Sequence, residues 1–490
     1  MTQYVSTRGG VPPVDFETAI LQGFAADGGL FVPQTIPRIA EDELLKWSEL
    51  SFVDLAFEIL SLFIDRSILP AEELRRLLTE SFARFEHPEV VPTVRLETRP
   101  NIYVLELFHG PTLSFKDVAM GFLVSMVDFF LNRRNDWASL VVATTGDTGP
   151  AAAHASTGKK SIECWVLYPA DMISEEQARQ MTTLEAPNVH PVAVSGCPDG
   201  GDDLDLVIAR MFADDRLRAQ LKLSSVNSIN WCRVMVQSVH YFYSYFRVAD
   251  QVGEKVVFSV PSGAFGNLFG GYLARTMGLS VESYICANNE NAALHRAFST
   301  GRFTKRDLIP TVSSAIDIVV PYNFWRFLYF ACGRDSGKIR QWMADFQRQG
   351  ELLLDAQTAR AIRHGYLSAA ITDDQTLAIM ADVYRNGEGY VLDPHAAVAV
   401  AAADELSDSF RQDTKIVCLA TAHAAKFPDV VRRALAVEGE LPEPARHASI
   451  EAAQGLCQHV RLCECSNLTE ALTHAMQTVT NRRLRTSEIK

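Results

Sequence analysis

Val141 to Ala155 reads VVATTGDTGPAAAHA. An apolar strand pattern stops on hydroxyls, glycines and one acid, and an alanine-rich helical pattern begins at once. Buried strand, short polar turn and helix are the unit of an α/β fold. Glycines let a ligand approach the backbone, while hydroxyls and helix N-terminal amides offer donors to an anion such as a carboxylate. A capped turn, with Asp147 or Thr148 as N-cap, would read the same way, so this segment alone leaves both readings open.

The pattern recurs. Val256 to Ala274, VVFSVPSGAFGNLFGGYLA, runs a strand into Ser262–Asn267 and then a helix. It matches neither G-x-G-x-x-G nor a Walker loop, yet its amides could nest a phosphate. Val417 to Val431, VCLATAHAAKFPDVV, places Thr421, His423 and Lys426 after another strand. Thr421 offers one neutral hydrogen bond, and His423 reads as a structural histidine. Strands are expected at 102–107, 140–143, 162–167, 256–260, 281–287 and 416–419, alternating with helical patterns, which predicts parallel α/β sheets. Ligands of such sheets collect outside the carboxyl ends of the strands.

A further segment begins at Ser224, SSVNSINWCRVMVQSVHYFYSYF. Asn227, Asn230 and Arg233 recur every three residues ahead of an aromatic helix expected to be core. Together with Ser228 they suit a phosphate dianion, a guanidinium fork with amides; a capped helix with a surface arginine is the plainer alternative. Phe108 to Gly121 reads FHGPTLSFKDVAMG, with Lys116 between Phe115 and Asp117 at a loop-to-helix junction. It is read either as a solvated lysine of a first turn or as a desolvated amine able to attack a carbonyl.

At 490 residues, several domains are expected. A first unit over 1–95 carries helical patterns at 16–23, 53–63 and 71–85 and a short strand in DGGLFVP. Three prolines between His87 and Asn101 mark its end; a core over 96–433 and a helical segment over 434–490 follow. The net charge of −13 disfavours nucleic acid and anionic membranes as partners. No signal peptide or membrane span is read at the start or elsewhere, and nine scattered cysteines fit reduced thiols in a cytoplasmic protein. Cys463-Glu-Cys465 alone is weak as a metal motif, and no metal is expected.

The segments HGPTLSFKD, ATTGDTG, QMTT, NSINWCR, SGAFGN, DPHAAVA and TAHAAKF, in this order, resemble the threonine synthase family, as do STRGG and DGGLFVP near the start. The resemblance reaches to about Phe427. It implies pyridoxal 5′-phosphate on a fold type II scaffold, two open α/β units with the cofactor between them, behind an N-terminal mainly helical domain. By position Lys116 resembles the lysine that joins the cofactor, and Gly263, Ala264, Phe265, Gly266 and Asn267 the cradle for its phosphate. Thr421 resembles the hydroxyl facing the pyridine nitrogen, and Asp147 lies where relatives often carry an Asn near the 3′-oxygen. Thr144, Thr145 and Thr148 would hold the substrate carboxylate; Asn227, Ser228, Asn230 and Arg233 match residues implicated in holding its phosphate. The implied substrate is O-phospho-L-homoserine, converted with water to L-threonine and phosphate by a monomer or homodimer. Threonine-synthase-like phospho-lyases, some with Ala in the cradle, that release 2-oxobutyrate, phosphate and ammonia, specialised variants, and a non-catalytic descendant acting as a binding or regulatory protein are the rival expectations. Here Ala264 replaces the usual Asn, Thr145 the usual Ser, Ala420 and Ala424 the usual Gly and Pro, and the usual Pro is missing after Ser174.

Overall fold

The computed structural model describes residues 2–487. A six-stranded sheet runs in the order Tyr366–Ala370, Val281–Asn288, Val256–Pro261, Ile416–Ala420, Ile102–Glu106 and Thr93–Arg95. All its pairings are parallel except that of the edge strand Thr93–Arg95. A five-stranded parallel sheet has the order Arg461–Glu464, Val189–Ser195, Ile162–Pro169, Ala138–Ala143 and Leu223–Ser224. Each strand expected from sequence is present, within two residues at either end. Val189–Ser195 and Tyr366–Ala370 were not expected; the first contains Pro191, and the second is short and rich in Ser and Ala.

The tail corrects one expectation. Helices Ala448–Ala453 and Leu468–Ser487 occupy it, but Arg461–Glu464 between them is a strand that extends the second sheet. Arg461, Leu462 and Glu464 are exposed at that edge and only Cys463 is half-buried, so no apolar alternation announced it. Of the basic residues near the end, Lys490 lies outside the described residues.

The N-terminal segment forms helices Phe16–Gln22, Glu41–Trp47, Phe52–Ser61 and Ala71–Phe82 with the strand pair Tyr4–Ser6 and Phe31–Pro33. Its apolar side packs on the helix Trp231–Val248, whose aromatic residues are core as expected. Tyr4 donates its hydroxyl proton to the Phe63 carbonyl at 3.0 Å, and its ring lies 6.1 Å from that of Trp231. Phe63 and Phe269 meet the other edges of the same indole. Among the described residues no helix is long and apolar enough to cross a membrane.

Trp231 is fully buried among Tyr4, Phe63 and Phe269, where these helices meet. Trp231→Ala should therefore cost about 3–5 kcal/mol, read as a lower urea midpoint by circular dichroism; a loss under about 1 kcal/mol would contradict this packing.

Candidate active site

Lys116 is the first residue of the helix Lys116–Arg133. The turn before it is pinned by its neighbour: the Asp117 carboxylate accepts from the backbone N–H and the hydroxyl of Thr112, both at 2.8 Å. Gly110 is needed there, since a Cβ would lie 2.4 Å from that of Asp117. The Lys116 amine stands 4.0 Å from the centre of the Phe115 ring and faces a cavity. Burial first, then Arg233 and Lys426, push it down to about 8, against the opposing pull of Asp147. The desolvated-amine reading of this residue is the one the geometry favours.

The cavity brings together Lys116, Asp147, Ser228, Arg233, Thr421 and the stretch Gly263–Asn267. In that stretch Phe265 adopts φ 65°, which turns the chain into the helix Gly266–Met277. The first backbone bond into this helix runs from Phe269 N–H to the Phe265 carbonyl, 2.9 Å. The earlier amides thus lack intrahelical acceptors, and the helix dipole adds positive potential at the same end. A Cβ on Gly263 would come within 2.9 Å of the Ile316 backbone, so only a bare residue keeps this turn. Asn267 is held by Tyr241 and His240 through its Oδ1, while its Nδ2 has no partner. These features fit a phosphate of pyridoxal phosphate, and Thr421 adds a buried neutral hydroxyl on the same wall.

A second cavity adjoins the first, sharing Thr145, Thr148, Ser228 and Ala264 and adding Thr144 and Asn227. Each encloses about 80 Å³, room for several water molecules or a small ligand. Asn227 donates to the Ala143 carbonyl at 3.1 Å and leaves Oδ1 unpaired. Arg233 is fully buried and donates to the Val226 carbonyl at 2.9 Å, with Nε unpartnered. Asn230 is a correction: it lines neither cavity. Its Nδ2 donates to the Ile20 and Ser225 carbonyls and its Oδ1 caps Cys232 N–H, so the i, i+3, i+6 pattern reflects a helix cap.

The roles of several residues were not read from the sequence. Lys426, fully buried, is 2.7 Å from Asp147 Oδ1 and donates to the Thr112 carbonyl at 2.9 Å. Gln177 Nε2 donates to the same Asp147 oxygen at 3.0 Å. Burial pushes Asp147 up, but Lys426, Lys116 and His395 outweigh it and hold the acid at about 2. Arg326, another buried guanidinium, donates to the Ile229 carbonyl at 2.6 Å and to Asn323, and so shapes the Asn227–Arg233 turn. A lysine amid Ala424, Ala425 and Phe427 was the available signal for Lys426, the same signal that marked Lys116. Nothing local marked Arg326. His423 is structural as expected: its Nδ1 accepts from Ala425 N–H, 3.1 Å.

Three family profiles match the chain: "Threonine synthase N terminus" over residues 3–82, "Pyridoxal-phosphate dependent enzyme" over 88–422 and "Threonine synthase, C-terminal" over 396–472. A threonine synthase of Pseudomonas aeruginosa is 40% identical over 88% of this chain and 90% of its own. A threonine synthase-like 2 protein of Homo sapiens is 38% identical over 94% of each chain. The crystal structure of PLP-bound threonine synthase from Brucella melitensis superposes with a TM-score of 0.88 at 37% identity, covering 98% of this chain and 99% of that one. Fold, cradle and buried lysine define a pyridoxal-phosphate-dependent enzyme of α/β construction. Within that class, the chain belongs to the threonine synthase family.

Two outcomes follow for the apoprotein. Acylation of Lys116, followed by mass spectrometry, should rise with a midpoint near pH 8 rather than near the ordinary lysine value of about 10.4. Lys426→Met should destabilise the fold by about 3–5 kcal/mol, because it strands a buried carboxylate; unchanged thermal unfolding would refute the pairing.

Proposed function

We propose that the chain is a threonine synthase, taking O-phospho-L-homoserine and water to L-threonine and phosphate. One observation carries the reading: two donor-rich arrangements suited to anions line the adjoining cavities beside one buried lysine. The helix N-terminus at Gly263–Asn267 serves the cofactor. The Asn227–Ser228–Arg233 side, with its unpaired guanidinium Nε, serves a second anion that the cofactor does not need.

When bound, pyridoxal phosphate supplies an electron sink for the carbanion at the substrate's Cα. The chain supplies the rest. Lys116, neutral in a large fraction of molecules near pH 8, takes the Cα proton and is the shuttle for protons at Cβ and Cγ. Thr144 and Thr148 stand at a helix N-terminus suited to the α-carboxylate, whereas the Thr145 hydroxyl donates its proton to the Ala315 carbonyl at 3.3 Å. Ser228 accepts from Asn323 Nδ2 at 3.0 Å, which leaves its own proton for the phosphate. Arg233 meets the phosphate with the donor its backbone bond does not use. Thr421 would give the ring nitrogen a neutral partner, and Asp147, pinned by Lys426, would stand near the 3′-oxygen.

The test is a product balance on cofactor-loaded protein given O-phospho-L-homoserine. Phosphate should be matched by threonine, with Lys116→Ala inactive. Phosphate matched by 2-oxobutyrate would instead make the chain a phospho-lyase. Arg233→Gln should raise KM about 10- to 100-fold, the equivalent of about 1.5–3 kcal/mol for a charge-assisted hydrogen bond; an unchanged KM would remove the arginine from the phosphate site.

A further inference from the structure

One acid of the substrate cavity has no part in the chemistry above. The helix Gly201–Ala213 begins against the threonine loop: a Cβ on Gly201 would lie 2.6 Å from the Thr145 methyl. Its first two turns carry Asp202 and Asp205 into the wall of the cavity shared by Thr144, Thr148, Asn227 and Ser228. Asp202 accepts from Val319 N–H at 3.2 Å. The Asp205 side chain makes no hydrogen bond or ion pair among the described residues, and no cation lines this cavity. The groups that face Asp205 are Asp202, one turn earlier, and Tyr322 at the start of the helix Tyr322–Ala331. The ion pair of Lys305 and Asp199, 2.8 Å, stands beyond Asp202.

We infer that Asp205 is a catalytic proton donor of this site: its carboxylic acid hydrogen-bonds a phosphoryl oxygen of the substrate and surrenders its proton as the Cγ–O bond breaks. The inference rests on the reading that the substrate is a phosphorylated amino acid. In the step, the Cγ–O electron pair leaves with the bridging oxygen and Lys116 takes the Cβ proton. The departing phosphate, a trianion if it left alone, accepts the Asp205 proton and goes as the monohydrogen dianion. Asp205 remains as carboxylate and is reprotonated from water between turnovers.

Burial, and then the charge of Asp202, push Asp205 up to about 8; burial pushes Asp202 up to about 7. The acid form of Asp205 therefore prevails at neutral pH and is lost as pH rises through about 8. A carboxyl group kept neutral by its site is a donor to an oxyanion, whereas the carboxylate would repel it. The cavity has Asn227 and Ser228 to orient an anion, and of its two carboxyl groups Asp205 is the one without a hydrogen-bond partner and the one held protonated to higher pH.

The experiment compares cofactor-loaded wild type and Asp205→Asn on two substrates. O-phospho-L-homoserine must expel phosphate; L-vinylglycine already carries an unsaturated side chain and expels nothing. Phosphate release should fall about 100-fold or more in the variant, while L-vinylglycine turnover stays within about threefold of wild type. Equal losses on both substrates would mean packing alone, and phosphate release that is undiminished or faster would mean that the carboxyl hinders the substrate; either overturns the inference. Titration with inorganic phosphate gives a second readout. Between pH 7 and 9 wild-type affinity should weaken about tenfold relative to the variant, and parallel profiles would overturn the assignment. Wild type that turns over L-vinylglycine but frees no phosphate from O-phospho-L-homoserine would refute the substrate reading, with the phosphate titration still deciding Asp205.

Discussion

The ion pair between Lys426 and Asp147 is the constraint from which the site follows. Lys426 lies just beyond the strand Ile416–Ala420 of the six-stranded sheet, and Asp147 just beyond Ala138–Ala143 of the five-stranded one. Their side chains are 0% and 2% exposed, and 2.7 Å apart. Removing two such charges from water costs several kcal/mol each, which the pair offsets only if the remaining hydrogen-bonding groups are satisfied. The Thr112 carbonyl and Gln177 do that. Ser174 fastens the arrangement again, donating to the Lys426 carbonyl at 2.8 Å. The two sheets are thereby locked together at the floor of the cleft.

The lock also sets the charge beside Lys116. Asp147 alone would hold the neighbouring amine as an ammonium ion. Burial is the largest influence, and Arg233 and then Lys426 oppose the pull of Asp147, so the amine can lose its proton. In a chain with net charge −13, positive potential is collected here from a few groups rather than from an excess of basic residues. Arg233 and the N-terminus of Gly266–Met277 contribute directly. Arg326 is equally buried but spends its donors on backbone carbonyls and Asn323, so its contribution is the shape of the phosphate-side turn.

What the sequence disclosed and what it hid divide along physical lines. Strands buried on both faces and glycine-rich turns leave local marks, and the loops at Thr144–Thr148, Gly263–Asn267 and Thr421 could be read directly. Lys116 stood out because an isolated lysine among apolar residues has few ordinary explanations. Partners chosen by tertiary approach leave no such mark. Gln177 meets Asp147 across 30 positions, and Arg326 meets Ile229 across 97. Asn230 misled for the opposite reason: its spacing was sound, but the helix cap used both ends of its amide. The strand Arg461–Glu464 was hidden because an exposed edge requires no alternation.

Thr145 and Gly201 form a compensating pair. Thr145 lines both inner cavities and also the wide cleft of about 700 Å³ that leads toward them between Ile173–Glu176 and Pro428–Arg432. Its hydroxyl is fixed on the Ala315 carbonyl at 3.3 Å, so its methyl points where a Cβ on residue 201 would stand. A serine at 145 would leave that space open, and any side chain at 201 would collide with the methyl. A side chain at 201 therefore requires the loss of the methyl at 145, whereas the methyl can be lost with Gly201 unchanged. The methyl packed against bare backbone narrows the junction between the cleft and the inner cavity. Ala264, which cannot hold a water through a side-chain amide, lies on the far side of the same junction. The junction is thus shaped by the bare backbone at Gly201 and the methyl of Thr145 rather than by a side-chain amide.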